Sequence, residues 1–296
     1  MKKKWLLIGL FVALALIQIA VPVSTIVRRE HALRYGRQFK FRTRPVDPYD
    51  AFRGRYIALG FEQDEVSVPP NSSLKRGQKV YALLATDKEG FTAADRITLT
   101  PPENVDYIKV KVQWLRRGKA GLDLPFGRYY MDEGAAPAAE HAYQTYMQQE
   151  ARDAYVTVRV RGGLAVLEEL YVAGKPIVEF TQSISELAKQ LKNNPPAEKD
   201  LGVPVYPGAK FDPEASASMS FGSDTMYYVY SFKEAPTEVV SFYEEKTGKK
   251  TAGAEPDSRW PARRYILPIE GAMPDPDEAV IIWWNTLLIK KQNRRN

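Results

Sequence analysis

The pattern of apolar and polar positions changes character three times along the chain. From Trp5 to Val27 it is apolar all round: WLLIGLFVALALIQIAVPVSTIV runs 23 residues without a charge, and only Gln18, Ser24 and Thr25 are polar. At 1.5 Å per residue a helix of this length spans about 34 Å, enough for the hydrocarbon core of a bilayer. From residue 39 the period falls to two. Phe39, Phe41 and Thr43 alternate with polar neighbours, Pro45 and Pro48 break the run, Gly54 turns it, and apolar positions resume from Tyr56 to Phe61. The same period predicts strands at 78–85, 106–114 and 155–161, with Val166–Val172 and Ile177–Phe180 continuing it on either side of a Gly174-Lys175 turn. Between them, Pro137 stands at a first helical position and opens a helix through AAEHAYQTYMQQEAR.

After residue 180 the pattern changes again. Ser183 or Ser185 is placed to cap a short helix, ISELAKQLK, that ends at Asn193-Asn194-Pro195-Pro196, and the Pro- and charge-rich run to Asp200 reads as a linker. A second domain follows the Tyr206-Pro207-Gly208-Ala209 turn, with strands predicted at 217–221, 226–232 and 279–289. Pro236 opens its helix, on which Val239, Val240, Phe242 and Tyr243 recur at helical spacing before Gly248. The 11 uncharged residues from Ala279 to Ile289 reach only half the length of a spanning helix, and their β-branched and aromatic content predicts a buried strand with Trp283 and Trp284 on opposite faces.

The elements add up to an α+β, β-rich class: an N-terminal transmembrane helix, an antiparallel β barrel or sandwich, then a small α+β domain with one helix on an antiparallel sheet. The predicted organisation is an anchor and basic juxtamembrane helix over 1–37, a β-rich domain over 38–180, a short helix and Pro-rich linker over 181–200, a small α+β domain over 201–290, and a basic tail over 291–296.

Charge sharpens the membrane reading. The 296 residues carry +6, which on its own suggests a polyanion partner. The excess lies at the ends, however: residues 45–289 hold 28 basic residues against 35 acids, a body of −7. A duplex-binding domain needs the opposite sign, so nucleic acid is not an expected partner. The basic residues Lys2, Lys3 and Lys4 before the apolar run and Arg28, Arg29, Arg34 and Arg37 after it bracket a membrane span, with lipid the partner of residues 5–27. A four-residue head before a body of about 260 residues is the layout of a signal anchor, which predicts a single-pass protein with its bulk outside the cytoplasm. The chain has no Cys, which excludes disulfides, thiol nucleophiles and Cys-ligated metals.

The stretch Arg44-Pro45-Val46-Asp47-Pro48-Tyr49-Asp50-Ala51-Phe52-Arg53-Gly54-Arg55-Tyr56-Ile57-Ala58-Leu59-Gly60-Phe61 resembles the core of the bacterial membrane-anchored GDYXXLXY-motif family. Phe126-Gly127-Arg128-Tyr129-Tyr130-Met131-Asp132-Glu133-Gly134 and the strand-turn-strand from Val156 to Pro176 are similar to two later stretches of that family, so the resemblance covers roughly residues 1–180 and leaves the C-terminal domain unplaced. It implies an anchored, extracytoplasmic β-rich domain and no particular chemistry. Arg55 stands where the motif has Asp, and Phe61 where it ends in Tyr. A reversal of charge is incompatible with a catalytic carboxylate or metal ligand. The motif residues Pro45, Asp47, Pro48, Arg53, Gly54, Arg55, Tyr56, Leu59 and Phe61 are therefore expected to be structural, through the Gly54 turn, Asx-type turns at Asp47 or Asp50, and the apolar area of Tyr56 and Phe61.

Chemistry elsewhere is sparse. His31 is juxtamembrane, His141 lies on a polar helix beside Glu140, and Asp275, Asp277 and Glu278 are interrupted by prolines, so neither a metal nor another cofactor is expected. The predicted role is that of a membrane-anchored accessory or interaction protein, with a polytopic membrane protein as a possible partner. The alternatives are an envelope ligand-binding module and a membrane-bound hydrolase that would pair Thr43 with Lys109 or Lys111.

Overall fold

The structure is a computed structural model that describes residues 2–44, 56–62, 64–68, 73–147, 153–254, 263–271 and 276–292. In chain order the elements are α1 (Lys2–Tyr35), β1 (Arg37–Arg44), β2 (Tyr56–Ala58), β3 (Gly60–Phe61), β4 (Glu65–Ser67), β5 (Lys79–Thr86), β6 (Thr92–Thr98), β7 (Tyr107–Arg116), β8 (Lys119–Asp123) and β9 (Arg128–Tyr130). There follow α2 (Ala136–Met147), β10 (Tyr155–Arg161), β11 (Leu164–Val172), β12 (Lys175–Pro176), α3 (Ile177–Asn193), α4 (Glu198–Leu201) and β13 (Lys210–Asp212). Last come α5 (Pro213–Ser220), β14 (Thr225–Ser231), α6 (Pro236–Thr247), β15 (Ala252–Ala254), β16 (Arg264–Glu270), β17 (Glu278–Trp283) and β18 (Thr286–Gln292). The class is as the periodicity predicts: an apolar N-terminal helix, then a body of antiparallel sheets with a few helices. Its residues fall into two compact units, the first from within 1–49, 57–130 and 154–171, the second from within 50–56, 131–153 and 172–296.

α1 is long and apolar enough to cross a membrane, and its most apolar window makes no buried contact with the rest of the chain. Trp5, Leu10, Phe11 and Ile26 are each two-thirds exposed or more. Within the span the hydroxyls of Ser24 and Thr25 donate to the Val21 carbonyl at 2.8 and 3.0 Å, so these polar groups are satisfied without water. The helix first meets protein at Ala32, which is fully buried. Gly36 then carries the chain into β1 with no linker.

In the first unit β1 pairs with β10 from Arg37↔Val160 to Arg42↔Tyr155, β10 pairs with β11, and β3 joins the other side of β1 through Thr43↔Phe61. A second sheet runs β4-β8-β7-β5-β6, and β2 pairs with β9. Bridges between Lys40 and Phe91 and between Ile108 and Gly163 tie the two large sheets together, giving a nearly closed, barrel-like arrangement. β7 shows why these residues form it: Ile108, Val110 and Val112 are buried while Lys109 and Lys111 are exposed, the period-two signature of a strand with one wet face.

The second unit is a six-stranded sheet, β13-β14-β18-β17-β16-β15. α6 packs on it, with Val239 and Tyr243 seated against Leu267, Val280, Ile282 and Leu287. α2, α3 and α5 pack on one another. The units interleave in sequence, so α2 and α3, which the domain boundary at residue 180 divides, both belong to the second.

Five local expectations are corrected. Ile177–Phe180 is not a strand but the first turn of α3, because Ile177, Phe180, Ile184, Ala188 and Leu191 form one buried stripe at helical spacing and Pro176 ends the ladder before it. Ser183 and Ser185 do not cap that helix; their hydroxyls donate to the carbonyls of Glu179 and Thr181 inside it. Residues 217–221 are not a strand: Asp212 caps α5 by accepting from the Glu214 and Ala215 amides, Pro213 occupies the first turn, and 217–220 complete the helix. Residues 279–289 are a hairpin, β17–β18, rather than one strand, since Trp284 takes a left-handed conformation at φ 49 and reverses the chain with Asn285. Trp283 is half-buried, Trp284 is 67% exposed, and their rings stack at 5.9 Å. Lys291, assigned to a basic tail, lies in β18 and pairs with the buried Glu278.

Candidate functional site

Of the motif residues, Tyr56, Leu59 and Phe61 are in place on and between β2 and β3, whereas Pro45, Asp47, Pro48, Arg53, Gly54 and Arg55 lie outside the described residues. Phe61 is the centre of the site. Thr43↔Phe61 pairing brings it against β1, and its ring stands 6.4 Å from Phe41 and 5.0 Å from Phe126, both edge-on, with Phe41 and Phe126 4.9 Å apart. All three are buried. Edge-to-face packing sets the positive rim of one ring on the negative face of the next, which adds about 0.5–1.5 kcal/mol per pair beyond the area buried.

The second motif stretch docks on the first through its backbone as well: the Leu59 amide donates to the Gly127 carbonyl at 3.0 Å. The third is attached by Tyr129, whose hydroxyl donates to Glu169 Oε1 on β11 at 2.7 Å, the same oxygen that accepts from the Leu170 amide at 2.8 Å. Burial, reinforced by the Glu169 carboxylate, pushes the Tyr129 phenol well above the ordinary tyrosine range. Tyr129 is therefore a neutral donor at any physiological pH. Three stretches separated by up to about a hundred residues thus close on one aromatic cluster.

Beside the cluster runs a row of rings topped by cations. Phe91 meets Tyr155 edge-on at 5.6 Å, and Tyr155 stacks on Tyr171 at 5.0 Å. The Arg42 guanidinium sits 3.9 Å from the Phe91 centroid and Lys40 Nζ 5.3 Å from that of Tyr155, while Arg42 is also paired with Glu89. The Asp87 carboxylate orders the turn that carries Phe91 by accepting from the Glu89 and Phe91 amides. The cavity between Phe61, Arg42 and Asp87 measures about 10 Å³, room for a single water and no larger ligand. The cluster is built for packing.

The residues of the hydrolase alternative lie on β1 and β7. Thr43 is buried and donates to the Ala154 carbonyl at 3.1 Å, and Lys109 and Lys111 lie on the wet face of β7. His31 and His141 are both exposed, the first 4.8 Å from the Tyr35 ring. Among the described residues no group of three His, Asp or Glu side chains converges as a metal site. Phe91, Glu169 and Tyr171 escaped the sequence reading, and only their place in predicted strands or turns could have signalled them.

These features define a class: a β-rich domain closed by aromatic residues and fused to an apolar N-terminal helix. The model of the family described as GDYXXLXY protein matches residues 18–170, and the chain belongs to that family. The match takes in the C-terminal half of α1, the first two stretches of the cluster and the third as far as Leu170. No curated protein and no solved structure matches the chain.

Proposed function

We propose that this chain is a single-pass membrane protein of the bacterial envelope, its body outside the cytoplasm, that works as an accessory or sensing subunit through interaction rather than catalysis. The observation that carries the reading is α1: a helix apolar on every face and, apart from the half-buried Ala15, exposed from Gly9 to Val27, joined to the β-rich unit by Gly36 alone. So large an exposed apolar surface needs a non-aqueous environment. The family motif supports the rest of the reading, since its Phe61 is packed in an aromatic core and its Asp is here Arg55. A polytopic membrane protein or an envelope polymer is the partner this layout serves.

Crosslinking in intact cells, followed by solubilisation and capture of the full chain, tests it. Recovery of the same membrane protein or envelope polymer across growth conditions is the expected result. Recovery of neither would overturn the accessory role, and labelling of Thr43 or Lys109 by a serine- or lysine-directed activity probe would favour the hydrolase instead.

A further inference from the structure

The junction between α1 and the first unit is rigid, and we infer that it presses the adjoining rim of that unit onto anionic lipid headgroups. This inference rests on the membrane-anchored reading above. Gly36 admits no side chain: a Cβ there would stand 2.3 Å from the Ala32 carbonyl oxygen and 3.1 Å from the Val160 backbone nitrogen and oxygen. The Gly36 amide closes the helix on the Ala32 carbonyl at 2.8 Å. From β10, Arg161 donates to the Tyr35 carbonyl and Arg159 to the Gly36 carbonyl, which satisfies carbonyls that the helix end would otherwise leave open. The first strand therefore starts at a fixed angle to the span.

Height follows from helix geometry. Val27 ends the uncharged run, and eight further residues bring Tyr35 about 12 Å above it. A headgroup layer occupies roughly 5–8 Å on each side of the hydrocarbon. The β-rich unit thus begins about 4–7 Å beyond the outer edge of the headgroups, within reach of an arginine side chain.

What stands at that height has the right chemistry. Arg28, Arg29, Arg34, Arg37 and Arg161 surround the helix exit, and Glu30 and Asp106 offset two of them by pairing with Arg34 and Arg37 at 2.6 Å. The Arg37–Asp106 pair also draws in the loop before β7, where Val105 is 48% exposed, beside Tyr35 at 65%. The Ile108–Gly163 bridge holds the start of β7 against the β10–β11 turn. A basic ring with an exposed aromatic and an exposed aliphatic side chain, a few ångströms above the headgroups, is complementary to a negatively charged leaflet.

The experiment uses the full chain in nanodiscs of phosphatidylcholine, with and without about a third phosphatidylglycerol, doped with a nickel-chelating lipid. Because the protein has no native Cys, a nitroxide can be placed at V105C or, as a control, at R116C, nine residues beyond the start of β7 at Tyr107 and so about 30 Å from that start by strand rise. The expected result is several-fold faster relaxation at 105 than at 116 in anionic discs. That difference should shrink in phosphatidylcholine alone or when Arg28, Arg29 and Arg34 are changed to Gln. Equal relaxation at the two positions, or no response to anionic lipid, would overturn the inference while leaving the anchor intact. A chain that fails to float with lipid would overturn both, which separates the two failures.

Discussion

The two units close their cores by different means. The first joins distant segments through side chains: Phe41, Phe61 and Phe126 meet ring to ring, and Tyr129 reaches Glu169 forty residues away. The second relies on hairpins and on a helix that substitutes for a strand. β13 pairs with β14 only as far as Asp212↔Val229. Beyond it Ser216 and Ser220, one turn apart on α5, accept from the Val229 and Tyr227 amides at 2.8 Å each. Small residues at 215–218 let the helix lie close enough for its hydroxyls to do so. An aromatic cluster tolerates long connections because its rings bring large apolar area; a serine pair needs the backbone placed to within a hydrogen bond.

The comparison can be broken most severely at Phe126. Phe126→Ala removes the ring that touches both others and should cost about 3–5 kcal/mol, read by urea unfolding of the full chain in detergent, with loss of amide protection centred on β1, β3 and β9. A smaller effect is expected in the second unit. Ser216→Ala and Ser220→Ala each leave a strand amide without its acceptor, costing about 1–3 kcal/mol, with exchange rising at Tyr227 and Val229 rather than across the sheet.

Acid should separate the units further. Glu244 at the end of α6 accepts from the Thr251 amide and hydroxyl and from Lys250, and these bonds hold its carboxyl down at about 2. A carboxyl depressed on folding stabilises the fold above its unfolded value near 4.5, and that contribution is lost as pH falls from there through about 2. Thermal melts between pH 2 and 6 should show the loss, and Glu244→Gln should flatten it. The smallest effect belongs to Phe61→Tyr, which restores the motif residue next to a water-sized polar cavity. Its melting curve should stay within about 1.5 kcal/mol of the parent; a larger loss would mean that this member's core has diverged around phenylalanine.

The same contrast explains what could be read from sequence. Strands with one wet face announced themselves by alternation, as at β1 and β7, and α6 by its proline start and glycine end. The three stretches around Phe61 were visible through family resemblance, though their meeting at one site was not, since ring contacts such as Phe41–Phe126 join residues far apart in the chain and leave no local trace. α5 was misread because Ala-Ser-Met-Ser alternates in size like a strand, and the informative signal was the Asp212-Pro213 cap ahead of it. The β17–β18 hairpin was hidden because both strands are buried and the turn at Trp284 uses no glycine. In α3 the four residues after Pro176 fit either period, and only the longer stripe to Leu191 decides between them.

The central claim is that α1 crosses the membrane once and holds the body outside. The cysteine-free chain permits a direct measurement: K4C, K88C and K192C variants, each of an exposed residue, treated in intact cells with a membrane-impermeant maleimide. The account predicts labelling at 88 and 192 and protection at 4 until the cells are lysed. Labelling at 4 with protection of both other positions, or protection of all three until lysis, would contradict it.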